Sequence, residues 1–146
     1  MVTITKSITI NRPHKDVFSY VFDYRNDPIW RNGVLAMKQE PEADVKIGTK
    51  TYETIKFMGR TMTVVAAITD YKKNDSVYFQ TITAPIKSEG YRKVTPKAKT
   101  TELTYSLSAD LNGFYKMFSS SIAKQFSKRV EQDLRKLKDI LEKKSS

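Results

Sequence analysis

Residues 118–141 read FSSSIAKQFSKRVEQDLRKLKDIL, and within them Phe118, Ile122, Phe126, Val130, Leu134, Leu137 and Leu141 recur every three or four positions. That spacing follows the 3.6-residue turn and predicts a helix of about 27 residues, roughly 40 Å long, with one apolar stripe. After Gly113 no proline or glycine interrupts it. Its opposite side is charged: Arg129 with Asp133, Arg135 with Asp139, Lys138 with Glu142 and Asp139 with Lys143 stand four residues apart, the pattern of a solvated helix back. The stripe needs an apolar surface to cover, and the rest of the chain must provide it.

Working backwards, Leu103, Tyr105 and Leu107 alternate with Glu102, Thr104 and Ser106, as in a strand with one packed face and one wet face. Strands are predicted at about 34–40, 49–58, 61–71, 76–83, 87–95 and 100–111, separated by turn-prone stretches such as Lys73-Asn74-Asp75. Their short connections imply an antiparallel meander. Residues 2–10 alternate in the same way and form the first strand. Two short helices follow, one carrying Val17, Phe18, Val21 and Phe22, the other after Asn26-Asp27-Pro28 and ending at Gly33. The predicted fold is α+β: a curved antiparallel seven-stranded sheet wrapped around a long C-terminal helix, forming one domain over 1–146.

Composition narrows the chemistry. The absence of cysteine excludes disulfides, thiolate metal sites and cysteine nucleophiles, and His14 is the lone histidine. No glycine-rich dinucleotide or phosphate loop and no serine-nucleophile elbow is present, so nothing points to hydride transfer, nucleotide hydrolysis or serine chemistry. No metal and no cofactor is expected. Twenty-six Lys and Arg against 16 Asp and Glu give a formal charge of +10, a bias towards anionic partners. The basic residues are not clustered with exposed aromatics, so specific nucleic-acid binding is not expected, and weak contact with an anionic membrane surface stays open as a minor alternative. No obligate protein partner is evident. With neither a membrane-length apolar run nor a signal-peptide pattern, a cytoplasmic location is expected.

The strand ending in Ile10, the run Arg12-Pro13-His14-Lys15-Asp16-Val17-Phe18, and Asp23-Tyr24-Arg25-Asn26-Asp27-Pro28-Ile29-Trp30-Arg31-Asn32-Gly33-Val34 resemble the opening of the SRPBCC superfamily in its polyketide cyclase/dehydrase-like branch. Gly48-Thr49-Lys50 with Glu53, and Thr100 to Leu111 leading through Gly113 to a long helix, resemble its later elements. The resemblance spans nearly the whole chain and rests on structural motifs. It implies a START-like helix-grip fold with an apolar cavity between sheet and last helix, used across the superfamily for lipids, sterols, hormones and polyketides and in some branches for catalysis. Arg12 replaces the small polar residue common before the proline, which leaves Asn11 as the expected cap of the first helix.

Strand parity anchored on the family pattern turns Glu53, Ile55, Phe57, Val64, Ala66, Ile68, Val77, Phe79, Thr81, Arg92, Val94, Leu103, Tyr105 and Leu107 inward. Ala66 and Thr81 are small and could leave space opposite Phe118, Ile122 and Phe126, although an ordinary packed core is the alternative. Glu53 on an apolar face must be paired, with Arg92 as the natural partner. It either orients a ligand hydroxyl, acts as a general base or makes a structural ion pair, unless a bulge shifts the parity and leaves it in water. Trp30 either plugs the join between short helices and sheet or forms part of a cavity mouth, and the Tyr105 hydroxyl needs a partner in the core or in a ligand. The candidate ligand-binding set is Trp30, Glu53, Phe57, Ala66, Phe79, Arg92, Tyr105, Leu107, Phe118 and Ile122. The expected function is binding of a small hydrophobic or amphipathic molecule, lipid-like or polyketide-like. The alternatives are a cyclase, dehydratase or hydrolase using Glu53 as acid and base, and a module acting through its surface.

Overall fold

A computed structural model describes residues 1–57 and 59–143. The chain runs β1 (Val2–Ile10), α1 (His14–Val21), a short 3-10 turn (Tyr24–Asn26), α2 (Asp27–Trp30), β2 (Val34–Glu40), β3 (Lys50–Phe57), β4 (Arg60–Lys72), β5 (Ser76–Thr83), β6 (Ser88–Pro96), β7 (Thr101–Ala109), a second 3-10 turn (Gly113–Phe118) and α3 (Ser119–Lys143). The strands form one antiparallel sheet in the order β1-β7-β6-β5-β4-β3-β2, a meander closed by β1 beside β7. The predicted strands are present with ends shifted by a residue or two, and position 58 of the third lies outside the described residues.

The outward face is polar, as alternation requires. Between β1 and β7, Thr3 meets Ser108, Thr5 meets Ser106 and Ser7 meets Thr104, each hydroxyl pair at 2.8–2.9 Å. The inward face is used in two ways. Towards the C-terminal end of α3 it is filled: Leu134, Leu137 and Leu141 pack with Val17, Phe18 and Val21 of α1 and with Ile10, Ile68, Val77, Val94 and Leu103 of the strands. A smaller cluster of Phe57, Ile86, Ala109, Leu111 and Ile122 closes the opposite end. The α1–α2 segment therefore plugs one half of the grip and leaves the other half to α3 alone.

Three expectations about helix ends and faces change. The cap of α1 is Pro13 with no side-chain bond, because the helix starts three residues beyond Asn11, whose backbone N–H donates to Glu142. Arg12 instead donates to the Leu141 carbonyl at 2.7 Å, a cation on the negative end of α3. The predicted long helix starts as a 3-10 turn, whose three residues per turn put Phe118 out of phase with the stripe, and its side chain is 43% exposed. On the back of α3 Lys138 pairs with Glu142 as expected, but Arg135 pairs with Glu131, and Asp133 turns inward to accept from the Asn32 backbone N–H.

Gly90 is a point of close approach. A Cβ there would lie 2.1 Å from the Ser106 carbonyl oxygen and 3.0 Å from the Phe79 ring. The oxygen belongs to the backbone of the paired strand β7 and can yield only if the strands part. Gly90→Ala should therefore cost at least the ~1–3 kcal/mol typical of overpacking. Urea denaturation measures this, and an unchanged midpoint would show that β6 and β7 separate freely at this point.

Candidate functional site

Between the concave sheet and α3 lies a cavity of about 160 Å³ open to the centre of a water molecule, some ten times the ~10–15 Å³ that a single water needs on that measure. Strand register explains why it is hollow. Thr51 of β3 faces Ala66 of β4, Ala66 faces Thr81 of β5, Thr81 shares hydrogen bonds with Ser88 of β6, and Ser88 faces Ala109 of β7. All five line the cavity, so one row of small side chains crosses five strands where larger ones would meet the helix. Phe126 and Val130 of α3 form the facing wall.

The inner end is polar and closed by ion pairs. Asp27, at the start of α2, has no exposed surface, and its carboxylate accepts from Arg92 Nη1 at 3.0 Å, Arg92 Nη2 at 2.6 Å and Arg31 Nη1 at 2.9 Å. Arg92 Nη1 also donates to the Val21 carbonyl, and Arg31 Nη2 donates to Glu53 Oε1 at 3.2 Å. The Arg92 guanidinium lies 4.1 Å from the Tyr24 ring centre, 5.2 Å from Trp30 and 5.4 Å from Tyr105, a cation enclosed by three aromatic faces. Burial by itself would lower the pKa of both arginines. Asp27, Tyr24 and Tyr105 together outweigh it at Arg92, and Glu53, Tyr105 and Asp27 together outweigh it at Arg31, so both stay above the ordinary guanidinium value. Burial likewise pushes the Tyr24 hydroxyl up, only partly offset by Arg92, so it remains a proton donor. Tyr24 Oη, Trp30 Nε1 and Arg92 Nε are buried without a hydrogen-bond partner among the described residues.

The rim between the α2–β2 link and α3 carries a second group of charges. Asp133 Oδ1 accepts the Asn32 N–H at 3.0 Å, with Arg129 and Arg31 nearby; burial raises its pKa against their pull.

Among the candidate residues, Trp30, Glu53, Phe57, Ala66, Phe79, Arg92, Tyr105 and Leu107 line the cavity, whereas Phe118 and Ile122 do not: Phe118 lies in the 3-10 turn, and Ile122 packs with Phe57 and Ile86 at the end. Glu53 faces inward, but its partner is Arg31. Arg92 sits on β6, with β4 and β5 between it and Glu53, and α2 lays Asp27 directly against it. Sequence reasoning treats Asp27 as a helix breaker, although Asp27 and Arg31 stand four residues apart at a helix start, a spacing that signals an ion pair. It also passes over Arg31 and the Ala84-Pro85-Ile86 loop and assigns Asp133 to the solvated back of the helix, although all of these line the cavity.

The helix-grip architecture and hollow grip fit one family, whose model, described as polyketide cyclase/dehydrase and lipid transport, matches residues 1–142. The chain belongs to this family. Solved structures agree in fold. TTHA0849 of Thermus thermophilus superposes with a TM-score of 0.84 at 16% identity, covering 99% of this chain and 100% of that one. The Zhui aromatase/cyclase of Streptomyces sp. R1128 gives 0.75 at 11% identity over 99% and 96% of the two chains. A START superfamily protein of Mycobacterium smegmatis gives 0.66 at 14% over 97% and 95%. No curated protein matches. Membership of the polyketide cyclase/dehydrase and lipid transport family supports a role in ligand binding or cyclase-type chemistry, with a small hydrophobic molecule as the partner. Among the described residues no helix is long and apolar enough to cross a membrane.

Proposed function

We propose that the protein binds an uncharged amphipathic small molecule in the cavity, with its polar end towards Trp30, Arg31 and Glu53 and its apolar part against Phe57, Ile86 and Phe126. The carrying observation is charge balance. The chain carries +10, yet the arginines of the cavity's inner end are paired, Arg92 with Asp27 and Arg31 with Asp27 and Glu53, while Arg129 at the rim stands near Asp133. A charged group at the inner end would meet arginines and carboxylates that already hold one another, and would be desolvated there without compensation. A carbonyl or hydroxyl oxygen needs only a hydrogen bond, and the unpartnered Trp30 and Arg92 N–H groups are donors. Cyclase-type chemistry is the second reading, supported by the family alone, since the central carboxylates are engaged by arginines.

The test is displacement of an apolar fluorescent probe by a methyl ketone, a primary alcohol, a carboxylate and an alkylammonium of equal chain length. The ketone or alcohol should bind at least about tenfold tighter than either ion, a gap of ~1.4 kcal/mol. Equal or tighter binding of the carboxylate would refute the neutral-ligand reading.

A further inference from the structure

The filled end of the grip is tied to the rest of the chain by many polar contacts, whereas the opposite end has a different surface. There the sheet meets the β3–β4 hairpin, the 83–87 loop, the residues after β7 and the first turn of α3. The Asp110 N–H donates to the Lys87 carbonyl, and Phe57, Ile86, Leu111 and Ile122 share one cluster, which fixes these segments at the same end. Large apolar side chains stand out from it: Met117 is 80% exposed, Ile82 57% and Phe118 43%. Lys56, Arg60, Lys87, Lys116 and Lys124 are exposed around them, against the acids Asp110 and Glu89. The N-terminus of the 25-residue α3 adds its positive dipole end at the same place.

We infer that this end is a docking surface for an anionic lipid bilayer. Exposed methionine, phenylalanine and isoleucine ringed by lysine are the combination that enters the headgroup boundary while the cations meet acidic lipid. Nucleic acid would be met by the cations and at most one stacking face, Phe118, and would leave Met117 and Ile82 in water. The location also fits the cavity. Ala84, Pro85 and Ile86 line it from within, and Thr83 and Lys87 of the same loop are exposed, so this loop runs between the cavity and the surface at this end. A ligand leaving the apolar end of the cavity would reach lipid without crossing open water.

The experiment is co-sedimentation of the full chain with vesicles of pure phosphatidylcholine and of phosphatidylcholine mixed with phosphatidylglycerol, at about 50 and 150 mM salt. Binding should require the anionic lipid and weaken at the higher salt, because exposed charges are screened over about a Debye length. A basic residue at an anionic surface contributes about fivefold in partition, so Lys87→Glu with Lys116→Glu should lower it by at least about 25-fold. Met117→Ser should weaken it further without altering the salt dependence. Equal binding to neutral vesicles, or none to anionic vesicles at the lower salt, would overturn the inference. So would a loss caused by Lys136→Glu with Lys143→Glu at the far end of α3 but not by the first pair, or displacement from vesicles by duplex DNA at the higher salt. No cavity ligand takes part, so the result is separate from that of the ligand series.

Discussion

Asp27→Ala is expected to destabilise the protein by about 3–5 kcal/mol, the cost of removing one partner from a buried ion pair. The carboxylate has no exposed surface and accepts three hydrogen bonds, two from an arginine that is itself 1% exposed. Without it, among the described residues, Arg92 keeps only the Val21 carbonyl and its aromatic cage, and Arg31 keeps only Glu53. Arg92 cannot escape the charge by losing its proton, since a guanidinium holds it throughout the accessible pH range. The double variant Asp27→Leu with Arg92→Met removes both charges, and should recover most of the loss because well-packed apolar replacements of a buried pair are often neutral or stabilising. Urea denaturation of the three proteins measures the effect. A single variant within about 1 kcal/mol of the wild type would mean that water reaches Arg92 and that the inner end of the cavity is not sealed.

This pair also marks how far the sequence could be read. The stripe from Ile122 to Leu141 and the alternation of β7 carry their own periods, and each period identifies both the element and its buried face, so the grip was legible; the inward side of β3 to β6 came from parity anchored on the family resemblance. Glu53, Phe79 and Arg92 were turned inward by the same parity. Which inward charges meet was not legible, because that depends on how the α1–α2 segment crosses the sheet. Periodicity carries no information about such a crossing, and α2 is only four residues long. Phe118 failed for a local reason, since a change from 3.6 to three residues per turn leaves no trace in the spacing of apolar residues. The hollow was half visible: Ala66 and Thr81 stood out as small, but their alignment with Thr51, Ser88 and Ala109 needs the strand register, and the shift between Val65 and Ala66 in the β4–β5 pairing is not written in any single strand.

The row of small side chains makes Ala66→Phe the most direct test of whether the hollow is ligand space. Ala66 sits second in the row, between Thr51 and Thr81, on a strand flanked by neighbours on both sides. The substitution adds a six-carbon ring pointing into a void of about 160 Å³, so stability should stay within about 1 kcal/mol of the wild type, well short of the ~1–3 kcal/mol of overpacking in a filled core. Binding should respond very differently. A ring of that size excludes about six carbons of any ligand that fills the cavity, and at ~0.8 kcal/mol per buried CH₂ this amounts to about 5 kcal/mol, or more than a thousandfold in affinity. Probe displacement and urea denaturation on the same preparation separate the two effects. Loss of binding with the fold intact supports ligand occupancy along the whole row, whereas a destabilised variant that still takes up the probe would make Ala66 an ordinary core position and move the ligand elsewhere on the molecule.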